Sequence, residues 1–351
     1  MVIALALWAL SDARLEEAHE TLRALVEVTG VTTREGPVRE RLIEMLPAGM
    51  RHEVDEKGNL LVRLGPEGRE PVMFVAHMDE TGFTLTEIRD DGLLRTERQG
   101  GFYLHPFEDA PALVHGSKGP VPGITRRGPA VPEERRRSVL VDLGCASRAE
   151  VEALGVSIGD GIGIPKRLVR LSETRITARS LDDRVGCAAQ VMALRRLDPS
   201  KLRREVAFAF VVEEETGLKG AAALAERLSK EGRLPKRVHA VDTFVSADSP
   251  LEDSEIAQAR LGEGAVIRAI DNTTKAPLAE VDRILALAKA KGIPLSAGET
   301  RGGNDGSKFE AFGVVNVPLA WPLRCSHSPV ETMDLRDLVA LADLIQALAE
   351  E

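Results

Sequence analysis

Apolar and polar positions along this chain repeat with two periods. Near residues 183–197, 218–231, 278–291 and 335–348 the apolar residues recur every three or four positions, which predicts helices with one buried face. Between them lie short β-rich runs that are apolar at nearly every position: VMFVA before His77, VAFAFVV before Glu213, and 314–322 ahead of His327. Such runs fit strands buried on both faces, as in a parallel sheet covered by helices. The pattern predicts an α/β fold with a mixed, mostly parallel sheet flanked by helices.

The alternation is interrupted once. From 15 to 76 a helix, a two-strand element turning at Gly58-Asn59 and a buried strand open the α/β domain. Between 83 and 170 the character changes to short β-like runs broken by Gly and Pro, including GPVPGITRRGPAVPEE, with one short helix at 147–154. We therefore expect a discontinuous α/β domain, 1–82 and 171–351, with a small β domain inserted at 83–170. The opening MVIALALWAL lacks a basic leader and is too short to span a bilayer, so it reads as a docking extension or a start-site artefact rather than an export signal.

Charged residues gather where the apolar runs stop. In an open α/β sheet the crevice outside the carboxyl ends of the strands collects catalytic groups, so His77, Asp182, Glu215, Asp242 and His327 could converge despite their separation in sequence. Imidazole and carboxylate suit zinc and its first-row neighbours, and a carboxylate can bridge two ions. Asp182 is the candidate bridge. Glu214, beside Glu215, is placed to act as general base and then general acid. Asp79, two residues after His77, shares its face of the strand and could accept the other ring N–H of that histidine. Taken singly each fragment has a plainer reading. Asp182-Asp183 after Ser180 can be an N-cap with first-turn acids, and Glu213 to Glu215 can be a solvated acidic run before a helix.

The strings VAHMDETGF, LDDRVGC, EEETGLKGA, VDTFVSADSP, GGNDGSKFEAFGV and RCSHSPVE, in this order, resemble the tetrahedral aminopeptidase family of dinuclear metallopeptidases, which includes glutamyl and deblocking aminopeptidases. The likeness runs from about 30 to 334. It implies that His77, Asp182 and Asp242 hold one ion while Asp182, Glu215 and His327 hold the other, with Glu214 as catalytic base and Asp79 as partner of the first histidine. In the run of three glutamates, Thr216-Gly217-Leu218 fixes the register on Glu214 and Glu215. It further implies zinc or cobalt as the ions, with manganese an alternative, and short peptides as substrates. The inserted domain would make dimer contacts, and the dimers would build a dodecamer. Thr216, Asn304 and Cys325 depart from the family pattern without removing a ligand.

Composition narrows the field further. A chain of 351 residues with 43% hydrophobic content can bury two cores, and a net charge of -9 with one tyrosine and two tryptophans argues against a nucleic-acid partner. Arg126-Arg127 and the arginines at 135–137 then read as a solvated loop or an assembly contact. Cys145, Cys187 and Cys325 lack metal-like spacing and fit a reducing cytoplasm. No membrane partner is expected. Three rival readings remain: a dinuclear carboxypeptidase or amide deacylase, a glycoside hydrolase using paired carboxylates, and a non-catalytic assembly protein. The second leaves both histidines unused.

Overall fold

A computed structural model describes residues 11–68, 70–127, 138–249 and 259–351. The apolar opening residues, the arginines at 135–137 and part of the Gly/Pro-rich segment lie outside the described residues.

A nine-stranded sheet forms the centre of the larger unit. Its main path runs His52–Val54, Leu60–Leu64, Val206–Val211, Val72–His77, Arg237–Val245, Leu319–Leu323, Ala265–Ile270 and Leu295–Glu299, and Val315–Asn316 pairs with Arg237–Val245. The central strands Val206–Val211, Val72–His77, Arg237–Val245 and Leu319–Leu323 are mutually parallel. Their continuous apolar character follows from burial on both sides. Val206, Phe208 and Phe210 face one core with Val72, Phe74 and Ala76, while Ala207, Ala209 and Val211 face another with Met73 and Val75. The first core is closed by the helices Asp12–Val26, Leu181–Arg196 and Leu335–Glu350, and the second by Ala221, Leu224, Ala225 and Leu228 of the helix Lys219–Lys230. Truncating a fully buried ring such as Phe208 would cost about 3–5 kcal/mol.

The inserted segment closes on itself. Gly82–Ile88, Leu94–Gln99, Leu140–Asp142, Gly119–Arg126, Pro111–Gly116 and Gly161–Gly163 form a small barrel around Phe83, Leu85, Phe107, Val114 and Ile162. A separate three-stranded antiparallel sheet, Val169–Arg170, Arg175–Ala178 and Glu331–Asp334, packs where the chain re-enters the larger unit.

The periodic segments are helical at Leu181–Arg196, Lys219–Lys230, Leu278–Lys291 and Leu335–Glu350, and the short helix of the inserted segment is Arg148–Ala153 with Ser147 capping it. Two local expectations need correction. Ser180 does not cap its helix, because it stands in the left-handed region and its side chain bonds no backbone N–H; Asp183 accepts the N–H of Gly186 at 2.9 Å instead. Asp242 does not end its strand but lies within it, since pairing passes from Val72–His77 to Leu319–Leu323 at Val241 and carries on to Val245.

Candidate active site

Register places the first candidate residues together. His77 ends its strand opposite Val211, so the acidic turn after Val211 emerges beside the histidine. Asp183 fixes the third partner, because its carboxyl joins the N–H of His77 at 3.0 Å to the start of the helix that carries Asp182. Burial pushes the Asp183 carboxyl well above its ordinary range, with Asp242 and Asp182 adding to the effect. His327 arrives on the loop after Leu319–Leu323.

Asp182 lies at the centre. Its Oδ1 stands 3.2 Å from His77 Nε2 and its Oδ2 stands 3.3 Å from His327 Nε2. His327 Nε2 is also 3.3 Å from Glu215 Oε1. Donor atoms of His77, Asp182 and Asp242 lie within 4.8 Å of one another, as do those of Asp182, Glu215 and His327. The two triplets share only Asp182. Arg268, not anticipated from the sequence, supports Asp242 from behind: its Nη1 lies 3.2 Å from Asp242 Oδ2 and its Nε lies 2.7 Å from Asp271.

Asp79 faces His77, as its spacing predicted, but has further partners that the spacing did not show. His77 Nδ1 faces the Asp79 carbonyl at 3.2 Å, and the Asp79 carboxyl is 3.5 Å away. That carboxyl accepts the N–H groups of Glu214 at 2.9 Å and Glu215 at 3.2 Å and the hydroxyl of Thr32 at 2.9 Å. Asp79 thus shapes the acidic turn as well as facing the histidine. A second carboxylate, Glu35, accepts the N–H of Glu213 at 3.1 Å and completes the turn. Glu213 itself points away from the site, to Lys57 and Lys219.

The electrostatics are those of crowded acids. Burial drives Glu214 well above the usual carboxyl range, with Glu215, Asp305 and Asp242 adding to it and His77 opposing. Asp242 is raised by burial and by Asp182 against the pull of Arg268. Asp305 is pushed up to about 8, chiefly by burial. Burial opposes protonation of His77, yet Glu214, Asp182 and Asp79 around it raise its pKa well above that of free imidazole. Non-glycine residues with positive φ cluster here, namely Ser180, Glu213, Cys325 and His327, as is common where a framework holds reactive groups.

Comparison with known proteins settles the class of chemistry. A family model described as M42 glutamyl aminopeptidase matches residues 58–344, which contain all seven of these site positions. The chain belongs to this family. The M42 family comprises metallopeptidases, and the protein is a peptide hydrolase. The lysyl aminopeptidase of Pyrococcus furiosus is 29% identical over 95% of this chain and 96% of its own length. Among solved structures, an aminopeptidase from the archaeon Desulfurococcus kamchatkensis superposes with a TM-score of 0.88 at 29% identity, covering 96% of this chain and 95% of that one. The TET1 peptidase of Pyrococcus horikoshii, described as assembling into a tetrahedron or a large octahedral shell, reaches 0.85 at 34% identity over 95% of this chain and 99% of that one.

Sequence reasoning missed the M42 site's supporting polar groups: Arg268, Asp183, Glu35, Glu331 and the buried Glu80. Arg268 and Asp271 bracket the end of an apolar run, a signal that could have been read. Glu80 and Glu331 carry none beyond proximity to a candidate site residue.

Proposed function

We propose that the protein is a two-metal aminopeptidase that removes N-terminal residues from short peptides. The observation that carries this reading is Asp182, each of whose carboxylate oxygens faces a different histidine in a different triplet of donors. The donor set fits divalent ions: buried acids crowd one another, the imidazole nitrogens are poised as ligands, and two such cations would exceed the charge of Asp182, Glu215 and Asp242 by one. His77, Asp182 and Asp242 would hold one ion, and Asp182, Glu215 and His327 the other. Zinc or cobalt suits these ligands best, with manganese an alternative. When bound, the ions supply Lewis-acid polarisation of the scissile carbonyl and a water acidic enough to lose its proton near neutral pH.

The chain's own residues do the rest. Glu214, whose Oε2 stands 3.9 Å from His77 Nε2, takes the proton of the attacking water and delivers it to the leaving amine. Asp79 keeps Glu214 and Glu215 pointing in their separate directions through the two backbone N–H bonds. A cavity of about 170 Å³, bounded by His77, Asp182, Asp242 and His327 and by Thr243, Phe244, Val245, Arg301 and Leu323, receives the side chain of the N-terminal residue.

Likeness to the shell-forming peptidase supports a homo-oligomer, with the inserted barrel joining subunits into dimers and the dimers into a dodecamer. Free thiols at Cys145 and Cys187 support a cytoplasmic setting. Among the described residues no helix is long and apolar enough to cross a membrane.

The test is hydrolysis of aminoacyl-anilides and N-blocked dipeptides by chelator-stripped protein, with zinc, cobalt or manganese restored. We expect metal-restored cleavage of free-amino substrates only. Cleavage confined to the blocked set would move the assignment to a deacylase, and no cleavage with any metal would overturn it.

A further inference from the structure

We infer that the inserted barrel is part of the metal centre. The turn at Gly100-Gly101 sets the tautomer and position of His327, and thereby the affinity of one ion position but not of the other. This rests on the two-metal reading above.

The two candidate histidine ligands are held in the same way but by different parts of the chain. A carbonyl oxygen can only accept a hydrogen bond, so the ring nitrogen facing it must carry the proton. His77 Nδ1 faces the Asp79 carbonyl at 3.2 Å, a partner two residues along its own segment. His327 Nδ1 faces the carbonyl of Gly101 at 2.6 Å, a partner 226 residues away in the loop that follows the barrel strand Leu94–Gln99. Each contact keeps the proton on Nδ1, so that Nε2, which faces the carboxylate oxygens, would be the nitrogen offered to an ion bound among them. The position built from His77, Asp182 and Asp242 therefore needs nothing from the barrel. The one built from Asp182, Glu215 and His327 does.

The turn has no slack. Gly100 has φ +90, and a Cβ there would stand 2.7 Å from Thr81 Cγ2 and 3.4 Å from Glu215 Oε2, so the backbone passes directly over a second ligand of the same triplet. Arg98 braces the far side by donating Nη1 to the carbonyl of Phe102 at 2.6 Å, with its guanidinium 5.6 Å over that ring. Phe102 in turn packs on Phe83 and Phe107, at ring-centroid distances of 5.4 and 4.7 Å. Thr81 is held from below, because the buried Arg179 donates to its carbonyl and to Glu80. A displacement of the barrel thus reaches His327 and Glu215 while sparing His77 and Asp242.

The experiment is a cobalt(II) titration of the chelator-stripped full-length protein, followed by visible absorbance and by calorimetry, for wild type and Gly100→Ala. His327→Ala serves as the reference that marks which step belongs to the barrel-supported position. Gly119→Ala, at φ +113 in a barrel hairpin with no atom within 4 Å of its Cβ, serves as a control for left-handed strain alone. We expect Gly100→Ala to weaken the step lost in His327→Ala by about 10- to 100-fold, the usual cost of disturbing a ligand's hydrogen-bond partner, and to leave the other step unchanged. Gly119→Ala should retain both. Should Gly100→Ala fail to fold by circular dichroism, Arg98→Ala, which unbraces the same loop, must show the same selective weakening. Parallel weakening of both steps, unchanged binding in the folded variant, or selective loss in Gly119→Ala would overturn the inference. A wild type that binds no cobalt would overturn the two-metal reading itself, a different result from failure of selectivity.

Discussion

Glu331 accepts the backbone N–H of His327 at 2.7 Å with one carboxyl oxygen, and its other oxygen accepts the N–H groups of Leu181 at 2.6 Å and Asp182 at 3.3 Å. This buried side chain, carried by the strand Glu331–Asp334, therefore fastens the loops of two proposed ligands to each other. Because both oxygens accept, an amide cannot replace the carboxyl without turning an NH₂ group toward a donor. Glu331→Gln should cost about 1–3 kcal/mol of stability. It should also weaken metal binding, read by unfolding curves and by cobalt titration of the same samples. Wild-type values in both would show that the site does not depend on this tie.

Glu214 is the residue on which the proposed proton transfer depends. Glu214→Gln preserves its size but removes its ability to accept a proton, so the variant should bind metal normally and lose about 10²–10⁴-fold in kcat. Metal content by elemental analysis and steady-state kinetics together decide the matter. Activity near that of wild type would remove Glu214 from its role.

A buried ionic cluster beside the site gives a pH signature of its own. Glu80, 1% exposed, is the shared partner of Lys166, of Arg184 at 2.8 Å and of Arg179 at 3.2 Å. Burial, reinforced by the two arginines and opposed by Glu80, pushes the Lys166 amine down to about 7, while Glu80 is held at about 2 by its three cations against its own burial. Between pH 7 and about 10 the unfolded chain thus keeps a proton on this lysine that the folded chain has released. Stability from this group should rise with pH across that window, by up to about 1.4 kcal/mol per pH unit. Lys166→Met should remove that rise. Denaturant unfolding of both proteins at pH 6.5 and 9 tests it, and identical pH slopes would refute the shift. Glu80→Gln, by contrast, would leave the buried Arg179 and Arg184 without their shared carboxylate and should destabilise by about 3–5 kcal/mol at either pH.

Much of this was legible in the chain because buried parallel strands announce themselves. VAFAFV and VMFVA are apolar at every position since both faces of each strand are covered, and the charged residues that follow them mark the crevice edge. The barrel was legible as a change of texture, through Gly and Pro between short runs. What could not be read were long-range polar pairings. Nothing in the sequence around Gly101 says that its carbonyl meets a histidine 226 residues away, and nothing near Glu331 says that it receives three backbone N–H groups. The short helix Gly36–Met45 was also passed over, its apolar stripe being reduced to Val38 and Leu42 with Ile43 and Met45 only partly buried. Asp79 shows the limit of spacing arguments. Its two-residue offset from His77 places both on one face, but the stronger claim on its carboxyl comes from the turn at Glu214.

The side chain preferred at the cleaved residue follows from charge in the pocket. Apart from the proposed ligands and Glu214, the lining carries no acid, while Arg268 and Arg301 are cationic. Arg268 is committed to Asp242, Asp271 and the carbonyls of Thr243, Arg301 and Gly303. Arg301 is exposed at the rim and has no carboxylate partner among the described residues, so its charge is available to a ligand. A guanidinium so placed favours acidic N-terminal residues and disfavours basic ones, by about 0.2–1 kcal/mol at an exposed rim. We expect glutamyl- and aspartyl-anilides to be cleaved with higher kcat/KM than lysyl- or arginyl-anilides. Arg301→Glu should reverse that order while leaving the small neutral alanyl substrate nearly unchanged. Equal shifts for all three classes would mean that Arg301 shapes the loop and does not read the substrate's charge.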